Sequence, residues 1–164
     1  YSGLEYVFFN LGINDTFSLA TDAAVDSLFT TAAAQLEAMI TAIKAHTAGI
    51  KIGIMLTIPP SAVQDSFGAN YYSGQNRGRY KLNNHRFVSK MLTQFGGRTG
   101  SNIFVLPTNC NLDTENNMAV APAVAVNSRN ASTVVRQSNG VHPATSGYHQ
   151  IADTVFAFLK CQEA

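Results

Sequence analysis

The sequence predicts an α/β protein built as a three-layer parallel sheet, with helices on both faces. Three observations lead there. Short continuous apolar runs of the kind found in strands buried on both faces alternate with long segments of helical periodicity. Gly and Pro signals punctuate the junctions. The order strand, helix, strand, helix, strand, insertion, helix is the pattern that makes parallel sheets with crossover helices. At 164 residues the chain fits one domain, spanning 1–164.

The first strand is Tyr6 to Asn10, and Gly12 to Ala20 follows as loop. Thr21 or Asp22 caps a helix whose core stripe is Val25, Leu28, Phe29, Ala32, Leu36, Met39, Ile40 and Ile43. Gly49 ends it. Lys51 to Ile58 is a second buried strand, stopped by Pro59-Pro60. Ser61 to Gly74 reads as a polar loop carrying Tyr71 and Tyr72. A second helix spans Asn76 to Phe95, with Tyr80, Phe87, Val88, Met91 and Phe95 inward, and Gly96-Gly97 closes it. Asn102 to Pro107 is a third strand. Asn111 to Gln137 is polar, with two strand-like pieces, Ala123–Val126 and Thr133–Val135, around a turn at 127–130. The last helix runs from Ser146 to Lys160. The first strand is the most apolar of the three and is expected at the centre of the sheet, because an unpaired apolar edge invites aggregation. Strands from upstream of Tyr1, or from another chain, are expected to complete the sheet.

Composition narrows the function. Charged residues make up 13% of the chain, about half the usual ~25%, so the surface is rich in Asn, Ser, Thr and Gln, which leans towards a secreted or virion-borne protein. Eleven basic against ten acidic residues give no electrostatic footprint for nucleic acid. No apolar run reaches the ~20 residues that span a bilayer. Cys110 follows the third strand near its C-terminal end, and Cys161 closes a helix that starts at that same end and runs away for about 15 residues, roughly 22 Å; disulfide geometry needs Cα atoms within about 7 Å, so two free thiols are expected. No spacing of His, Cys, Asp or Glu fits a metal site, and no cofactor is called for.

Two motifs carry the chemistry. Gly12-Ile13-Asn14-Asp15 follows the first strand, and Asn139-Gly140-Val141-His142-Pro143 precedes the last helix. Both fall where a parallel sheet binds ligands, at the C-terminal ends of its strands. An imidazole titrates near neutrality and serves as a general base. A carboxamide and a backbone N–H can receive a developing oxyanion. Asn and Asp also favour turns, so Asn14 and Asp15 have a structural reading as well. Arg129 and Arg136, in the insertion, and Tyr71 and Tyr72, in the polar loop, are candidates to meet a sugar or acidic substrate, or are ordinary loop residues. Asn14-Asp15-Thr16 and Asn130-Ala131-Ser132 match glycosylation acceptors; a glycan on Asn14 would block the donor, so that match is read as accidental.

In this order the two blocks resemble the SGNH (GDSL-type) serine hydrolases, and Leu56-Thr57-Ile58-Pro59-Pro60 looks like the segment between them. The resemblance covers nearly the whole chain and implies a flavodoxin-like SGNH fold lacking its first strands. It implies that Gly12 and Asn14 are oxyanion donors and that His142 is the base. The family's Gly-Asp-Ser block is absent, so the nucleophile is expected upstream of Tyr1. The position of the family's catalytic Asp holds Asn139, which can orient the imidazole but not stabilise its charge; Asp113 is a candidate to supply the acid instead. Asn139-Gly140 is also prone to deamidation. The implied activity is ester hydrolysis, with O-acetyl groups on carbohydrate as the favoured substrate, His142, Asn139, Asn14 and Gly12 as catalytic residues, and Arg136 and Tyr72 as substrate contacts. The alternative is a catalytically inactive SGNH-like module in a phage tail or cell-surface assembly.

Overall fold

The computed structural model describes residues 3–71 and 75–163. It is mixed α/β. Strands β1 (Tyr6–Phe9), β2 (Lys51–Met55) and β3 (Ile103–Leu106) form a parallel sheet in that order. Phe9 pairs with Ile54 and Met55 with Leu106, so all three strands deliver their C-terminal ends to one end of the sheet. Helix α1 is a single turn (Ile13–Thr16), and α2 (Asp22–His46) follows it. Next come α3 (Asp65–Tyr71) and α4 (Arg77–Phe95). Another single turn, α5 (Thr108–Asn111), follows β3. A hairpin of β4 (Val124–Asn127) and β5 (Asn130–Val134) then precedes α6 (Thr145–Glu163).

The layers follow from strand alternation, since successive side chains point to opposite faces. Val7 and Phe9 of β1 and Ile52 and Ile54 of β2 join Val25, Leu36, Phe87 and Met91 in one core beneath α2 and α4. Phe8 and Phe104 point the other way and meet Phe158 of α6, with ring centroids 6.0 and 5.0 Å apart. Thr21 accepts the Ala24 N–H at 3.1 Å, so α2 starts on one of the two caps expected for it, and Asn76 accepts the Arg79 N–H at 2.7 Å to cap α4.

Several expectations are corrected. β1 is at the edge of this sheet, half-buried throughout, and β2 is the central strand, with Ile52, Gly53 and Ile54 buried. Apolar content ranks burial within a sheet only when all its strands are known. Met39, expected inward, is 37% exposed and lines a surface slot with Leu11 and Leu36. The segment expected as loop from Ser61 to Gly74 contains α3, whose Phe67 is fully buried. The second strand is also shorter than expected: after Met55 the backbone bonds once more, from the Leu56 N–H to Leu106 O at 3.1 Å, and then runs as a buried loop to Pro60. Cys110 and Cys161 are both exposed thiols.

Helices α2 and α4 are also tied by charge. Arg86 bonds both carboxylate oxygens of Asp26 at 2.7 Å, and Lys90 reaches Asp26 at 3.0 Å. The bond from Arg86, then that from Lys90, holds the Asp26 carboxyl well below the usual carboxylate range. A depressed folded-state pKa stabilises the fold above the unfolded pKa, near 3.9, and the stabilisation disappears as pH falls through the folded value. Asp26→Asn is therefore expected to lower the thermal midpoint by a constant amount above about pH 5. Below about pH 4 the gap to the parent chain should narrow. Melting curves across pH check this; a gap that does not change with pH contradicts it.

Candidate functional site

The two sequence motifs share one cleft. Asn10, Gly12, Ile13, Asn14 and Asp15 line one side; Ile58, Val141, His142, Pro143 and Tyr148 line the other, around a volume of about 270 Å³. The cleft sits at the C-terminal ends of β1 and β2, where parallel sheets place ligands.

The Gly12–Asp15 side is built by a forced turn. Gly12 has φ +104°, a left-handed conformation open to glycine and strained for other residues. A Cβ there would also lie 3.2 Å from both Phe87 and Thr57. The turn leads into α1, whose second residue, Asn14, is exposed to the cleft. Gly12 O accepts the Thr16 N–H at 3.1 Å and the Thr16 hydroxyl at 2.8 Å. Neither the Gly12 N–H nor the Asn14 carboxamide donates a hydrogen bond among the described residues. Both are thus uncommitted donors on residues that line the cleft. Buried Asn83 of α4 fixes the turn from below, donating to Thr16 O at 2.9 Å and Leu19 O at 2.8 Å.

The His142 side is held by four sets of contacts. Ser61 N–H donates to Gly140 O at 2.9 Å, joining this loop to the end of the β2 segment. Gly140 lies against the ring of Phe67, close enough that a Cβ would fall 2.7 Å from it. Gln137 donates to the carbonyls of Thr114 and Glu115 at 2.7 and 2.9 Å and accepts the Val63 N–H at 3.3 Å. Tyr80, wholly buried, donates its hydroxyl to Ile58 O at 2.8 Å. These contacts hold the loop, while His142 itself is exposed.

Asn139 was expected to orient the imidazole. Its Oδ1 accepts the backbone N–H of Val141 at 3.0 Å and of His142 at 2.8 Å. It therefore fixes the backbone of the turn that presents His142. The Asp113 carboxylate is taken up locally: it accepts from the Asn116 side chain at 2.9 Å, and from the N–H groups of Asn116 and Glu115 at 3.0 Å each. These bonds, the Asn116 side chain first, hold its carboxyl below the usual range. Arg136 is outside the cleft lining and pairs with Asp65 at 2.7 Å. Arg129 is exposed at the turn of the β4–β5 hairpin. Tyr72 lies outside the described residues, and Tyr71 ends α3.

The motifs missed Asn10 and Tyr148, which line the cleft, and Asn83, Phe67 and Gln137, which hold it. Asn10 directly follows β1 and Tyr148 lies in the first turn of α6, both signals of position. The supporting residues have no local signal, since their partners are far away in sequence.

The chain matches no protein-family model and no curated protein. Among the described residues no cluster of His, Cys, Asp or Glu is arranged to hold a metal ion, and no helix is long and apolar enough to cross a membrane.

Asn83→Ala deletes the bonds to the Thr16 and Leu19 carbonyls, one of them buried, and the one that Asn83 accepts from Arg79 Nε. It is expected to cost about 1–3 kcal/mol in urea unfolding. It should also raise amide hydrogen exchange from Gly12 to Thr16 above that of β2. Unchanged exchange in that turn would contradict the role given to Asn83.

Proposed function

We infer that this domain is part of an SGNH-type serine esterase whose attacking serine comes from a segment or chain outside these residues. The observation that carries the reading is the shared cleft: uncommitted donors at Gly12 and Asn14 face the same space as the exposed imidazole of His142. A serine hydroxyl entering this space loses its proton to His142 as it attacks the ester carbonyl. The oxyanion that forms is received by the Gly12 N–H and the Asn14 carboxamide. His142 then returns the proton to the leaving alcohol. One such donor is worth about 2.7–4 kcal/mol in the transition state.

The serine is best delivered by a strand added to the outer edge of β1, which has no partner among the described residues. A parallel strand there ends beside Asn10 and Gly12. The favoured substrate is an O-acetyl group on carbohydrate. A small acyl group suits the modest cleft, and Asn10, Asn14, Asp15 and Tyr148 give it a polar rim for hydroxyls. A secreted or virion-borne setting fits the low charge of the surface.

A second reading is a binding or structural module without turnover. The neutral Asn139, engaged with backbone rather than presenting a carboxylate, favours it. Fluorophosphonate labelling of the native protein separates the two. The esterase reading expects an adduct on a serine outside these residues, lost in His142→Ala and slowed about 10²–10³-fold in Asn14→Ala. A folded native protein that takes no adduct supports the module instead.

A further inference from the structure

The dipeptide Asn139-Gly140 carries a chemistry that ester hydrolysis does not use. The two N–H bonds to Asn139 Oδ1, at 3.0 and 2.8 Å, draw electron density from the side-chain carbonyl carbon. Gly140 is buried, and its N–H donates no hydrogen bond among the described residues. A backbone N–H that finds no acceptor is uncommon at a buried residue. This one belongs to the peptide nitrogen next in line after the polarised carbonyl. Residue 140 has no Cβ to shield the approach. The bond from the Ser61 N–H to Gly140 O, at 2.9 Å, keeps that peptide in place.

From this juxtaposition we propose that Asn139 is a site of spontaneous deamidation, and that the fold directs the product to ordinary aspartate. The Gly140 nitrogen forms a bond to Asn139 Cγ as it gives up its proton. The side-chain nitrogen leaves as ammonia, taking that proton, and a five-membered cyclic imide remains. Water then adds at Cγ and the new Cγ–N bond breaks, which restores the Gly140 peptide and leaves a carboxyl group. The net change is one water consumed and one ammonia released, with no oxidant or reductant.

The direction of ring opening follows from the same contacts. The N–H groups of Val141 and His142 polarise Cγ in the imide as they do in the amide, so water is steered there. Opening at the main-chain carbonyl gives isoaspartate, which adds a carbon to the backbone just before Gly140. There is no slack for it: even a Cβ on Gly140 would fall 2.7 Å from the Phe67 ring. The aspartate product keeps both backbone bonds. On the esterase reading, on which only this consequence rests, it adds beside His142 the negative charge that a triad acid supplies.

The test needs no activity, so it stands or falls separately from the fluorophosphonate result. The folded protein, and the same chain unfolded in urea, are held at mildly alkaline pH and digested. Residue 139 is then quantified by mass spectrometry, with the two isomers separated chromatographically. The folded protein is expected to convert with a several-fold excess of aspartate over isoaspartate, and the unfolded chain to give mainly isoaspartate. Retention of Asn139 in the folded protein while the unfolded chain converts would overturn the proposal. So would the same isomer ratio in both samples.

Discussion

The parallel register of β1 on β2 is the constraint on which the rest depends. Because Phe9 lies opposite Ile54, the chain leaves both strands at the same level. The Gly12 turn and the Leu56–Pro60 segment therefore emerge side by side. The loop before α6 comes back to the same place through the bond from the Ser61 N–H to Gly140 O at 2.9 Å. Residues about 130 positions apart in the sequence meet because the sheet has already fixed two of the three segments. Loop-closure entropy grows only slowly with length, so the long insertion between β3 and His142 is a tolerable cost.

The same sheet leaves the outer edge of β1 uncovered by any strand among the described residues. On the α2 side, Leu11, Leu28, Ala32, Leu36 and Met39 border an apolar slot of about 190 Å³ that reaches Gly12. On the α6 side, Tyr6 and Phe8 meet Phe158 in edge-on contacts 6.2 and 6.0 Å between centroids, and Phe156 is 64% exposed. An edge that is apolar on both flanks is the form of edge that natural sheets cover. Covering it with a strand places new backbone beside the cleft, so completion of the sheet and completion of the site become the same event in the esterase reading.

Much of this fold can be read from local pattern, and the exceptions have physical causes. The long helices announce themselves by caps and period: Thr21 and Asn76 sit at their N-termini. Val25, Leu36 and Ile40, or Tyr80, Phe87 and Phe95, mark their buried stripes. The hairpin turn near Arg129 is likewise local chemistry. The rank of β1 in the sheet is not local, since burial of a strand depends on its neighbours, and its apolar run reads equally well as centre or as uncovered edge. Helix α3 escapes notice because its buried Phe67 packs against Tyr80 and Val141 from distant segments. Within the site, Gly12, Asn14 and His142 are readable because their spacing around strand ends has a chemical logic. The bonds that Asn139 Oδ1 accepts from the Val141 and His142 N–H groups are not, because they depend on the geometry of the turn.

The central claim is that Asn14 and His142 face one another across a single cleft. A chain with Cys110 and Cys161 changed to Ser, carrying Asn14→Cys and His142→Cys, tests it directly. Treatment with a short bifunctional thiol reagent is expected to join the two positions within one folded molecule, and urea should abolish the link. Efficient single-site modification of both cysteines in the folded protein, with no intramolecular link, would contradict the account.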